Sequence, residues 1–309
     1  MKGPVYRVYR DGFPHHVYSK GINGNVVFYA VEDRIFYLTL YACLARKYGI
    51  TVRGFTIMPN HTHSDEEARS EKVFRSFHDE LNSKFTVGYN RQHNRQGPLL
   101  KAPFGFAAKT VGKKIRDNLC YIANNPVVGK LVSDVMSHPW SLLPYYNNDH
   151  PFSEKIVLSR SSRALRRAVK LVNYFRSREL PLDYLRQELI MGSLNAEERK
   201  QITDRIISQY NCMDYNAMSA FYGGSFLRAV ETFRANSGSE YDVPEDYENY
   251  GYYAQMIRLA EKRGIDLSQW NPAKEDPRVI RSLLNLFREY GFPSRQIDRF
   301  LQKGAVADK

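Results

Sequence analysis

Along the first half of the chain the apolar positions change period several times. His16-Val17-Tyr18 and Val26-Val27-Phe28-Tyr29 are short, rich in β-branched and aromatic side chains, and separated by the turn-forming run Gly21 to Gly24, which predicts two strands. From Glu32 to Tyr48, the placement of Ile35, Leu38, Leu40, Ala42 and Leu44 favours a helix closed by Gly49. Ile50 to Met58 reads as a strand running into Pro59-Asn60. Residues 71 to 90 read as a helix with Val73, Phe74, Phe77, Leu81 and Phe85 along one side. After a Gly-Pro loop at residues 97 to 105, Lys113 to Asn124 predicts a further helix that ends before Pro126. Its Ile115, Leu119 and Ile122 fall at i, i+4 and i+7 and form a core stripe. This succession of strand, strand, helix, strand, helix, loop and helix fits an α+β fold with helices packed on an antiparallel sheet.

Beyond about residue 150 the pattern is helical almost throughout, which divides the chain into an N-terminal unit, 1–150, and a helical unit, 151–309. Leu180-Pro181, Gly192-Ser193, Gly223-Gly224 and the acidic, tyrosine-rich stretch Ser239 to Tyr253 interrupt the second unit. Lys155 to Arg178 contains eight basic residues and no acidic one, with Leu158, Leu165, Val169 and Val172 on its apolar side. That pattern fits a helix lying along nucleic acid and fits a solvated helix face equally well. Near the end, Val279 to Tyr290, the turn Gly291 to Ser294, and Arg295 to Gln302 predict helix, turn, helix, with Ser294 as the cap. A DNA-reading helix and an ordinary helical hairpin share this pattern.

Charge changes the picture. The 309 residues hold 45 Lys and Arg against 33 Asp and Glu, a net +12, and residues 1–150 carry +8 of it. Hydrophobic residues at 43% argue for a folded chain and against a disordered basic tail, and the surplus fits a polyanionic partner such as nucleic acid or a charge that merely keeps the chain in solution. Cys43, Cys120 and Cys212 lie far apart, which speaks against a disulfide framework or a cysteine zinc site and fits a reducing, cytoplasmic setting. No run approaches the roughly 18 apolar residues of a membrane-spanning helix.

Two short stretches carry candidate chemistry. In Met58-Pro59-Asn60-His61-Thr62-His63, an extended backbone puts His61 and His63 on one face about 7 Å apart, within reach of one cation. A pair of hydrogen-bonded surface histidines has the same spacing. In the helix KKIRDNLCYIANN, Tyr121 and Asn125 are four apart and share a face beside the core stripe. They fit a tyrosine at the margin of the core beside a carboxamide that accepts from a donor or ligates a hard cation, or a core-edge tyrosine with a capping asparagine.

Taken together, HVYSKG (16–21), FYAVEDRIFY (28–37), MPNHTH (58–63), LNSKF (81–85), YIANNPVVGKLV (121–132) and HPWS (138–141) occur in the order and at about the spacing of one family. Over His15 to about Tyr146 the chain resembles the REP-associated tyrosine transposases, within the single-tyrosine HUH transposases. The resemblance implies a ferredoxin-like domain in a bacterial, cytoplasmic, nucleoid-associated protein that cuts and rejoins single-stranded DNA at hairpin-forming repeats, and it is compatible with a homodimer. It assigns Tyr121 as the nucleophile, and His61, His63 and Asn125 as ligands of a divalent cation, Mg or Mn. The product it implies is a 5′-phosphotyrosine link with a free 3′-hydroxyl.

Arg91, Arg95, Lys101, Lys109, Lys113, Lys114 and Arg116 are the expected DNA-binding residues. Phe104 and Phe106 fit base stacking or core positions. The chain departs from the family where Ser64 to Arg69 is polar and acidic in place of an apolar strand, which predicts a shortened or distorted strand. Thr62 replaces a hydrophobe, which predicts altered packing beneath the histidines, and the long C-terminal half lies outside the common catalytic domain. The alternatives are a non-catalytic DNA-binding regulator derived from such an enzyme, and a phosphate-handling metalloenzyme unrelated to DNA.

Overall fold

A computed structural model describes residues 8–236 and 249–302. Much of the tyrosine-rich stretch at 239–253 therefore lies outside the described residues. The first half runs β1 (His15–Lys20), α1 (Val31–Tyr48), β2 (Thr51–Ile57), β3 (His61–Glu67), α2 (Glu71–Gln92), β4 (Gly105–Ala108) and α3 (Gly112–Val128). The four strands form one antiparallel sheet in the order β2-β3-β1-β4, so β3 and β1 are central. The α+β class is as expected from the sequence.

Helices α1 and α2 cover one face of the sheet. The α2 stripe Phe74, Phe77, Leu81 and Phe85 is fully buried, each side chain contributing about 1.5–3 kcal/mol. Phe104 and Phe106 join this core, packed against Phe74, so the core reading of this pair holds. Helix α3 covers the opposite face against β2 and β3, with Ile115, Leu119 and Ile122 buried as expected.

Several boundaries differ from the sequence reading. Val26 to Tyr29 is not a strand: Val27 and Phe28 donate to the carbonyl of Pro59, and the side chains are buried against helices. Their β-branched and aromatic character serves burial and not ladder pairing. The helix at Lys113–Asn124 continues through Pro126 to Val128, because proline in the last turn removes a single donor. Four residues inside the expected Gly-Pro loop region and beyond it form β4. The strand after His63 is not shortened, since β3 runs seven residues, six of them buried, but its pairing with β2 is irregular as expected: Val52 and Gly54 face the adjacent Glu66 and Asp65, which leaves a bulge at Arg53. Its acidic residues are neutralised by partners brought from α1, α2, α3 and β2.

The second half adds α4 (Arg163–Ser177), α5 (Tyr184–Met191), α6 (Ala196–Tyr210), α7 (Tyr215–Ser219), α8 (Phe226–Ala235), α9 (Gly251–Lys262), α10 (Pro277–Glu289) and α11 (Ser294–Phe300). Helices α4 to α6 share a core with α1 and the sheet, and α7 and α8 pack on α3. Helices α9 to α11 close over Val26 and Tyr29. The basic stretch from Lys155 becomes helical only at Arg163, and Leu158 is exposed. The helix, turn, helix at the end is present, but Ser294 is its first helical residue and makes no capping bond. Gln296, Ile297 and Phe300 of α11 are buried, and the Tyr29 hydroxyl donates to the Phe300 carbonyl (2.6 Å).

Candidate functional site

Alternation along β3 separates two sets of polar side chains. Thr62, Ser64 and Glu66 face α1 and α2. There Glu66 accepts from Tyr41 Oη (2.7 Å) and Ser64 Oγ (2.6 Å) and pairs with His78 Nε2 (2.7 Å), while Thr62 Oγ1 lies 3.2 Å from Tyr37 Oη. Burial alone would raise the Glu66 pKa, but His78 and the two hydroxyls bring it below the usual carboxylate value. The polar Thr62 is thus matched by a tyrosine hydroxyl in place of an apolar contact.

His61, His63 and Asp65 occupy the other face, toward α3. Register places His16 opposite Asp65, Tyr18 opposite His63 and Lys20 opposite His61. Across them α3 lays a stripe of Asn118, Tyr121 and Asn125, spaced i, i+3 and i+7. The Tyr121 ring lies 5.2 Å from that of His63 and 5.3 Å from that of His16. Asn125 is within hydrogen-bonding reach of His61, and Asn118 Nδ2 donates to Asp65 Oδ2 (2.6 Å). His61 and His63 stack edge to face at 4.6 Å, with only 7% and 6% of their surface exposed. The structure therefore brings together the four expected residues Tyr121, His61, His63 and Asn125.

Burial, reinforced by Lys20, pushes the His61 pKa down to about 3; burial, His61 and His16 drive that of His63 well below its ordinary value. Both imidazoles are neutral near pH 7, the form that carries a lone pair for a cation. His61 Nδ1 donates to Asn60 Oδ1 (2.7 Å), and Asn60 is oriented by donating Nδ2 to the Gly24 carbonyl (2.9 Å). The lone pair of His61 therefore sits on Nε2. His63 Nε2 is buried with no hydrogen-bond partner within the protein, which fits a nitrogen that ligates a cation. Among the described residues no group of three or more His, Cys, Asp or Glu is placed to hold a metal ion. A cation here needs the Asn125 carboxamide as its third donor, and two nitrogens with one amide oxygen suit a Mn- or Mg-type ion with open positions.

The expected basic residues divide. Lys109 lies near His16 and Asp65, and burial lowers its pKa. The Lys101 backbone donates to the Lys20 carbonyl (2.8 Å), next to the histidine strand. Lys113, Lys114 and Arg116 are exposed on the first turns of α3. Arg91 and Arg95 stand apart, at the end of α2 on the other face of the sheet, where Arg95 donates to Asn90 Oδ1 and the Pro98 carbonyl.

Sequence reasoning missed His16, Tyr18, Asn60, Asp65 and Asn118. Asn118 was findable, since it lies three before Tyr121 on one helix face; His16 and Asp65 needed the strand register. Tyr18 lies so close over Gly105 that a Cβ there would sit 1.9 Å from its ring. From the second half, Tyr250 packs its ring 5.2 Å from His61 and fills the space beside Gly129.

No protein-family model matches the chain, and no curated protein matches it. Among solved structures it is similar to a REP-associated tyrosine transposase bound to a REP hairpin, at 18% identity over 48% of this chain and 84% of that one, with a TM-score of 0.40. A superposition that loose fixes neither fold nor chemistry, so the functional reading stands on the site itself.

Proposed function

We propose that the chain is a metal-dependent single-tyrosine HUH endonuclease or transposase that cuts and rejoins single-stranded, hairpin-forming DNA. The observation that carries this reading is the convergence of two distant motifs. Met58 to His63 and Tyr121 to Asn125 are separate in sequence, yet Tyr121 lies beside His63 and Asn125 reaches His61. Residues 1–150 are read as the catalytic unit, whose βαββαβ succession and β2-β3-β1-β4 order support a ferredoxin-like fold; 151–309 is the accessory unit.

In this reading the Tyr121 hydroxyl oxygen attacks a backbone phosphorus. The P–O bond to the preceding sugar breaks, its oxygen takes up a proton and leaves as a free 3′-hydroxyl, and the 5′-phosphate stays on Tyr121. Reversal rejoins the strand without an energy cofactor. His61, His63 and Asn125 would hold a divalent cation, which supplies Lewis-acid polarisation of the phosphate. Helix α3 keeps Tyr121 and Asn125 one turn apart, and the core stripe Ile115, Leu119 and Ile122 presses both onto the histidine strand. Lys20, Lys101, Lys109, Lys113, Lys114 and Arg116 supply the positive surface for the DNA backbone.

A second reading, a DNA-binding regulator without catalysis, is favoured by one observation: Tyr250 lies over His61 and little of either histidine is exposed. Incubation with end-labelled single-stranded hairpin DNA and Mn separates the two. A slow-migrating covalent species on a denaturing gel, lost with chelator and in the His61→Ala/His63→Ala double variant, supports the enzyme. DNA binding without such a species supports the regulator.

A further inference from the structure

Helix α3 covers only part of the sheet face that carries the histidines. It packs on β2 and β3, and beside it the same face of β1 and β4 is accessible: His16 and Lys20 are half-buried, Ala107 is exposed, and Tyr18 keeps 39% of its surface. The alternate residues of β1, His15, Val17 and Ser19, are buried on the other face. Tyr18 therefore stands in the middle of an accessible strip that runs alongside the candidate site. Its ring lies 6.4 Å from that of His63, its cross-strand neighbour, and meets the His16 ring edge to face at 6.2 Å.

On its other side Tyr18 pairs with Gly105 of β4, and the far end of its ring fills the space that a side chain there would take: a Cβ on Gly105 would sit 1.9 Å from Cζ and 2.2 Å from Cε1. The missing side chain at 105 thus sets where the ring rests. A large ring settled at the surface offers contact area at little cost in side-chain freedom, since tyrosine has only two such torsions. Positive charge flanks it. Lys20 lies on the same face toward His61, and Lys109 lies near His16 at the opposite end of the strip. Aromatic rings set among cations take up unpaired strands, the rings stacking on bases and the cations tracking phosphates.

Resting on the reading of this site as one that takes up single-stranded DNA, we propose that Tyr18 is a substrate-binding residue: its ring stacks on an unpaired base next to the phosphate presented to Tyr121, with Lys20 and Lys109 on the phosphates to either side. The stack anchors the strand on β1 so that its backbone runs between Tyr121 and the histidines. Gly105 belongs to the same device, because it leaves room for the ring. Every base has a π-face, so this contact favours unpaired over paired strands and not one sequence over another. Shielding the Gly105 backbone alone would be served by a leucine, which separates the two roles of Tyr18.

The test measures binding without metal, so that cleavage does not enter. Fluorescence anisotropy with a labelled thymidine strand of about ten nucleotides, and with the same sugar–phosphate strand lacking its bases, reads stacking apart from phosphate contacts. The wild type should bind the base-bearing strand about tenfold more tightly than the abasic one. Tyr18→Leu should bring the two affinities together by weakening the base-bearing strand alone, and Tyr18→Trp should keep the preference. Gly105→Val, which displaces the ring from the neighbouring strand, should behave as Tyr18→Leu does. A wild type with no preference for bases, a preference that survives in Tyr18→Leu or Gly105→Val, or an equal loss for both strands in Tyr18→Leu overturns the inference. If the preference follows Tyr18 but hairpin DNA and Mn give no covalent adduct, the stacking stands and the transposase reading falls; an adduct from a wild type with no preference for bases does the reverse.

Discussion

Residue by residue, the least legible part of this chain was the run Ser64 to Glu67. Four polar side chains in a row read as surface because a carboxylate normally stays in water. What makes them a central strand is the supply of partners from elsewhere: Tyr41 and His78 for Glu66, Arg53 and Asn118 for Asp65. None of these pairings is local, so no window of sequence contains them. Alternation put His61 and His63 on one face and helical geometry did the same for Tyr121 and Asn125, but spacing left their roles open and only the family resemblance singled them out. The buried Glu66–His78 pair yields a prediction at this scale. Replacing His78 by Leu leaves a buried carboxylate without its main counter-group and should cost about 3–5 kcal/mol in urea unfolding. A loss below about 1 kcal/mol would show that the Tyr41 and Ser64 hydroxyls suffice.

At the scale of elements, the long helices were readable from period 3.6 and the short pieces were not. β4 has only four residues, too few for alternation to register, and it is recognised by its pairing with β1. Val26 to Tyr29 has strand composition but lies outside the sheet. Helix α3 is held by more than its apolar stripe: the buried Asn124 donates to the carbonyls of Cys120 and Phe233, tying α8 to it. Asn124→Leu should cost about 1–3 kcal/mol and loosen α8, measurable as faster amide exchange in residues 226–235. By contrast Ser294→Ala should change stability by less than about 0.5 kcal/mol, because Ser294 caps nothing. A loss of about 1 kcal/mol or more there would restore the capping role that its sequence position advertises. On the exposed start of α3, Lys113→Ala or Lys114→Ala should weaken DNA binding and reduce the salt dependence by about one phosphate contact.

For the whole molecule, the division of charge was visible in the sequence and the division of labour in packing was not. All three apolar clusters draw residues from both sides of residue 150, so the helical half braces the sheet and its helices from three directions. Buried histidines give the molecule a pH signature. His16 and His61 are pushed down to about 3 and His138 to about 4 by burial, whereas all three take up protons near pH 6.5 when unfolded. The unfolded chain thus binds more protons between those limits, so stability is full above about pH 6.5 and is lost as pH falls, by about 1.4 kcal/mol per histidine per unit. Asp65, pushed up to about 6 by burial, gains stability on protonation and offsets part of that loss. Thermal unfolding should therefore show a falling Tm from pH 6.5 to 4.5, and a flat profile would contradict the buried neutral histidines.

The central claim is that Tyr121 takes up DNA. The most direct measurement is to incubate the protein with single-stranded hairpin DNA and Mn, digest DNA and protein, and map the modified peptide by mass spectrometry. The account predicts a nucleotide mass on the tryptic fragment 117–130, in which Tyr121 is the single tyrosine, and none in Tyr121→Phe. A nucleotide on any other residue, or a cleaved strand with no protein adduct, would contradict it.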